Sequence, residues 1–150
     1  MTIRRPTYTI VWVDEMSVGI PEINEDHKHF IYLMNELNRS ITEGQAPTDI
    51  KQRLQIIIDD ASKHFAHEER LFEEWQYPDI SSHAKIHVQI MDELNAIMSK
   101  FVPYGLDSAW VEAGSRIKSI LIEHILAEDM KYAEFYRNRS NASADGNVRV

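Results

Sequence analysis

At 150 residues, 43% apolar and 27% charged, the chain suits one domain that buries roughly 70% of its unfolded surface, and Gly 5 with Pro 5 is too few for a turn-rich all-β chain. The formal charge of -8 excludes nucleic-acid binding by phosphate neutralisation and favours a self-repelling monomer or small oligomer. Cys 0 excludes disulfides, thiolate zinc sites, iron–sulfur clusters, cysteine nucleophiles and covalently attached haem, so any metal must be held by nitrogen and oxygen.

Residues Met1 to Thr7 read as a loose lead-in without an apolar core of signal-peptide length, and no spanning run follows. A cytoplasmic protein with no membrane partner is the expectation. An extended arm, Tyr8 to Gly19, carries Trp12, Val13, Asp14 and Val18. After Pro21, Ile23, His27, Phe30, Met34, Leu37 and Ile41 recur at steps of four and three up to Gly44, which predicts a first helix.

Thr48, after Pro47, is the candidate N-cap of a second helix that runs to Trp75 and is stopped by Tyr77-Pro78. Its inward seam is Leu54, Ile57, Ala61, His64, Glu68, Leu71 and Trp75. Asp79, Ser81 and Ser82 offer caps for a third helix with His83, His87, Ile90, Leu94, Ile97 and Phe101 on its seam. Pro103 and Gly105 break that helix, and Asp107-Ser108 can cap a fourth over about 108–137, with Ile117, Ile120, Leu121, His124, Ile125 and Tyr132 inward. The polar, aperiodic stretch 138–150 is expected to be a disordered tail. Four amphipathic helices on short connections predict an all-α, up-down-up-down four-helix bundle over 12–137, behind an N-terminal lead-in of 1–11.

Every helix thus carries imidazole in its buried stripe: His27, His64, His83 with His87, and His124. One histidine on an apolar face is more often a hydrogen-bonded core residue than a ligand; five that converge with carboxylates reverse that reading. Glu68 shares the face of His64, four residues earlier, and a buried carboxylate normally neutralises or coordinates a metal. Asp129 stands five residues after His124, roughly 140° away on an ideal helix, so the two either flank a wide inward face or are drawn together by a local π-bulge. His67 and His29 fall outside the seams and read as solvated, as does the carboxylate of Glu69, whose alternative role is that of the true ligand.

Five imidazoles and two carboxylates exceed one tetrahedral zinc and suit two metals that share bridging carboxylates, with a position left open. Imidazole with carboxylate fits iron, although zinc, copper and nickel bind such donors too. No Glu-x-x-His pair and no His-Glu-x-x-His helix occurs, which sets aside ferritin-like carboxylate bundles and zinc proteases.

In order and spacing the chain resembles the hemerythrin family, specifically its single-domain bacterial form, from about Trp12 to Tyr136. The resemblance rests on Trp12-x-Asp14, Ser17-Val18-Gly19, Ile23-Asn24-x-x-His27-Lys28, His64-Phe65-x-x-Glu68-Glu69, Tyr77-Pro78, His83-x-x-x-His87, His124-Ile125-x-x-x-Asp129 and Tyr132. It implies a non-haem di-iron centre with a bridging oxygen. In it His83, His87 and His124 hold one iron, His27 and His64 hold the other, and Glu68 and Asp129 bridge both. It also implies reversible dioxygen binding, for storage, transport or delivery to an unknown recipient, with no catalytic residue. The alternatives are an oxygen or redox sensor and a di-iron enzyme acting on peroxide or nitric oxide. The oxygen pocket is expected from Phe30, Ile120, Leu121 and Ile125. The chain departs from the family pattern at Ile120, where Trp is common, at Phe30, where an aliphatic residue is usual, and at Asp26, where Gln is frequent. None of these three is expected to touch a ligand.

Overall fold

The computed structural model describes residues 9–100 and 107–148; the lead-in at Met1 to Thr7, the Pro103–Gly105 break and the seam residue Phe101 lie outside them. Four helical rods form an all-α bundle, in agreement with the predicted class: α1 (Pro21–Thr42), α2 (Pro47–Trp75), α3 (Ile80–Lys100), and a fourth rod made of α4 (Asp107–Glu123), a π-helical turn (His124–Asp129) and α5 (Met130–Val148). The α1–α2 and α2–α3 connections are only a few residues long, which forces antiparallel neighbours. Helix α1 packs on α2 and α4, and α3 packs on the same two, so the rods close a ring. A Cβ at Gly114 would lie 2.9 Å from Asn38 Oδ1 and 3.3 Å from Ile41 Cδ1, so glycine is what lets α4 approach α1 this closely.

The arm is tied down before the first helix starts. Asn35 on α1 pairs with Ile10 as a neighbouring strand would, its Oδ1 accepting from the Ile10 N–H at 2.8 Å and its Nδ2 donating to the Ile10 carbonyl at 2.9 Å. Ile10, in the predicted extended arm and ahead of the bundle expected over 12–137, belongs to the core. A short 3-10 turn follows at Asp14–Met16. Gly19 then takes φ 75°, a left-handed conformation that costs glycine little. Asn24 accepts from the Val18 N–H at 2.9 Å and donates to Ser17 at 2.9 Å. The Ser-Val-Gly and Asn elements of the sequence pattern are thus the hinge that delivers the chain into α1.

Helix α2 begins at Pro47 rather than Thr48, because proline at the first helical position has the right φ and lacks only an N–H that would go unbonded anyway. It ends where Gln76 turns left-handed at φ 55° and the Tyr77 N–H bonds the Phe72 carbonyl at 2.9 Å. The fourth rod corrects the expected boundary. Its backbone stays helical to Val148, past the Arg137 end, since adding residues to a nucleated helix is cheap. Arg139 also donates to the Trp75 carbonyl at the end of α2.

Two apolar clusters fill the bundle. One contains Phe30, Leu54, Ala61, Ile90 and Leu121; the other contains Ile23, Leu71, Phe72, Tyr77 and Tyr132. Each rod passes from one cluster to the other, and at the crossing stand His27, His64 with Glu68, His83 with His87, and His124 with Asp129. The polar side chains therefore form a single layer between two dry ones.

Candidate metal centre

All seven of those side chains are buried, His124 the least at 5% exposure. Leaving buried polar atoms unpaired costs about 1–3 kcal/mol each, so partners are required. Yet both oxygens of Glu68, both of Asp129, and the Nε2 atoms of His83, His87 and His124 have no hydrogen-bond partner among the described residues. They are nevertheless close. Asp129 Oδ1 lies 3.2 Å from His83 Nε2 and 3.0 Å from His124 Nε2, while its Oδ2 lies 3.1 Å from His27 Nε2. Glu68 Oε1 is 3.3 Å from His87 Nε2 and 3.2 Å from His64 Nε2, which itself meets His27 Nε2 at 3.2 Å.

Donor atoms about 2.1 Å from one ion, and at right angles around it, lie about 3.0 Å from each other. The observed separations match the edges of such a polyhedron, and the unpaired atoms converge as ligand atoms do. The donors sort into two groups: Glu68, His83, His87, His124 and Asp129 in one, His27, His64, Glu68 and Asp129 in the other. Both carboxylates belong to both groups, and Asp129 turns a different oxygen to each. This buried cluster fits a metal site.

The π-helical turn supplies part of the geometry. His124 and Asp129 are its first and last residues, and the wider turn stacks a residue over the one five positions on, where an α-turn would leave them well apart. Of the two arrangements open on sequence grounds, this is the π-bulge. Aromatic rings fix the imidazoles from outside. Phe65 stacks on His87 at 4.0 Å between ring centroids, and Phe72 meets His83 edge-on at 4.9 Å. Phe65 enters the sequence pattern only as a member of the His64-Phe65-x-x-Glu68-Glu69 motif and Phe72 lies outside the predicted seam of α2, so the helix period alone assigns neither a role beside the imidazoles.

A family model, the Hemerythrin HHE cation binding domain, matches residues 18–136. The chain belongs to the hemerythrin family. It is 27% identical over 135 residues to the bacteriohemerythrin of Stenotrophomonas maltophilia, covering 90% of this chain and 86% of that one. A hemerythrin-like protein of Naegleria gruberi is 29% identical over 121 residues, covering 81% and 88%. The myohemerythrin of Theromyzon tessulatum is 26% identical over the same span and shares.

Against the hemerythrin pattern, two departures do touch the cluster, contrary to expectation. Asp26 Oδ2 is 2.9 Å from His64 Nδ1, and the Phe30 ring meets the His64 ring edge-on at 5.1 Å. Ile120 is half-buried, and Leu121 and Ile125 are buried. His67 also departs from the solvated reading: it is 22% exposed and its Nδ1 lies 2.8 Å from the same Asp26 oxygen. Asp26 lies one residue off the α1 seam, and only the placement of α2 beside it brings the three together. His29, by contrast, is 54% exposed beside Asp60. Glu69 is half-exposed, with its Oε1 4.0 Å from His87 Nδ1 and so beyond hydrogen-bond range.

In the metal-free hemerythrin chain, burial opposes charge on His64, but the Glu68 carboxylate and the hydrogen bond to Asp26 outweigh it and raise its pKa from 6.5 to about 10. Burial and Asp129 push Glu68 upward, and the imidazoles of His64 and His87 more than offset them, holding it at about 2. The carboxylates therefore stay charged opposite protonated imidazole, and metal uptake must release protons. A folded pKa above the unfolded one gives stability that is complete below about pH 6.5 and is lost as the pH rises through about 10. Burial lowers the pKa of His87, but that ring is already mostly neutral in both states above about pH 7, so it does not act in this window. Metal-free protein should accordingly melt at a lower temperature near about pH 9.5 than near about pH 7 in a calorimeter. A flat or rising melting temperature would show that His64 carries no charge there.

Proposed function

We propose that the chain binds dioxygen reversibly at a non-haem di-iron centre, as a carrier or store in the cytoplasm rather than an enzyme. The reading rests on one observation: the two donor groups share Glu68 and Asp129 but are unequal, with three imidazoles in one and two in the other. His83, His87 and His124 would hold one iron, His27 and His64 the second, and the carboxylates would bridge. A ferrous pair, when bound, supplies the electrons that dioxygen takes up and returns. The group with fewer donors leaves room for a small ligand beside His27 and His64. Phe30, buried and apolar, stands against His64 on that side, and Leu121 and Ile125 are buried and apolar too, which supports a pocket that excludes water. Neutral imidazoles donate less charge than carboxylates, and a histidine-rich pair favours binding over driving iron to high oxidation states. The names of the relatives support the same reading.

The test is anaerobic loading with ferrous iron, then visible spectra after air is admitted and after it is removed. A charge-transfer band that appears with oxygen and vanishes with its removal, at two irons per chain, is the expected result. A band that decays to a permanently ferric protein, or turnover of peroxide or nitric oxide, would replace the carrier with a sensor or an enzyme.

A further inference from the structure

With every side chain of the centre at 5% exposure or less, an ion must reach it through the protein. Between α1 and α2 lies a cavity of about 200 Å³ lined by Asp26, His29, Asp60, Lys63, His64 and His67. His64 is the wall it shares with the centre. The Nδ1 of that ring faces Asp26 at 2.9 Å, while its Nε2 faces His27 and Glu68, each at 3.2 Å. Nearer the surface, His67 is held between two carboxylates, with Nδ1 2.8 Å from Asp26 and Nε2 3.4 Å from Glu22. Asp26, His64 and His67 each offer a ligand atom, and the three atoms lie within 4.8 Å of one another. Imidazole nitrogen with carboxylate oxygen is a donor set that divalent first-row metals accept. Glu22, Asp26 and Asp60 outnumber Lys63 and the protonated His64 ring, so the field there still attracts cations.

We propose that this crevice captures a divalent first-row cation from solvent on Asp26 and His67 and passes it across the His64 ring to His27, Glu68 and Asp129. The inference rests on the metal-centre reading. Its physical sense lies in dehydration. Stripping an ion of its water in one step is very costly, and side chains that replace water one at a time lower that barrier. Asp26 and His67 are half-exposed and can exchange ligands with solvent, whereas the seven residues of the layer cannot. A route changes the barrier equally in both directions, so it alters the rates of loading and release by one factor and leaves the final affinity alone. A supporting residue changes the affinity instead.

The experiment follows uptake of ferrous iron by metal-free protein without oxygen, and its release to a chelator, in wild type and two variants. His67→Ala, which removes one of the two capture ligands, should load and release several-fold more slowly and should finish with the wild-type iron content. Lys63→Gln, on the surface, should load faster than wild type and also finish unchanged. Loading rates unaltered in both variants would overturn the route. So would faster release with weaker binding in His67→Ala, which would make His67 a support of the centre. Wild type that takes up no iron would overturn the centre itself, and the route with it.

Discussion

Glu68→Ala should cost the protein both ions at once. Glu68 is fully buried and belongs to both donor groups, so its loss removes a ligand from each, whereas His83→Ala removes one from a single group. Stability should fall with the metal. A ligand bound only by the folded state stabilises it by about 2.7 kcal/mol at one hundred times its dissociation constant, and that contribution goes with the ion. The metal-free state suffers too, because His64 loses the counter-charge 3.2 Å away, and breaking a buried pair costs about 3–5 kcal/mol. Colorimetric iron determination beside melting curves, with and without iron, checks both parts. The expected pattern is little or no iron in Glu68→Ala, partial content in His83→Ala, and a lowered melting temperature in each. Wild-type iron stoichiometry in both variants would sink the ligand assignment.

Phe72→Ala should be the most damaging change outside the polar layer. Its ring is wholly buried and sits 4.8 Å from Tyr132, 4.9 Å from His83 and 5.1 Å from Tyr77 between centroids, so no neighbour can collapse into the space without moving one of the others. Truncating such a side chain costs about 3–5 kcal/mol. Urea unfolding of metal-free protein isolates this packing effect from any contribution of bound ions. Phe72→Leu should recover much of the loss by refilling volume, though it cannot restore the edge-on contact that orients His83. A loss below about 1 kcal/mol for the alanine variant would mean that the cluster repacks freely.

The seven converging side chains were legible because polar residues at helix period inside apolar seams violate the expected pattern, and each violation is visible one helix at a time. What lies between helices was not. Asp26 is one position from His27 and half-exposed, so nothing in the periodicity of α1 says that it reaches His64 on α2. His67 looks solvated in sequence for the same reason: its phase on α2 points it outward, but outward from α2 at that level is toward Asp26. The spacing from His124 to Asp129 allowed two helix geometries, and the choice between them depends on where α2 and α3 place their donors. Beyond Arg137 the end of the helix is illegible on the opposite ground. A polar stretch has no seam to detect, yet the helix persists because its backbone bonds continue those of the packed segment.

The π-helical turn also bears on how such a chain can change by descent. One surplus residue between His124 and Asp129 sets the phase of everything that follows, so the two halves of the fourth rod are keyed to different frames. Deleting one residue from 125 to 128 would let the turn relax to ordinary helix and leave Asp129 four positions after His124, on the same face. If the segment kept its length and took ordinary helix, Asp129, Tyr132 and Ala133 would instead swing by about 100° and carry a carboxylate shared by both donor groups and part of the second apolar cluster away from the bundle axis. Turn and length can therefore change only together: either change alone takes the centre apart.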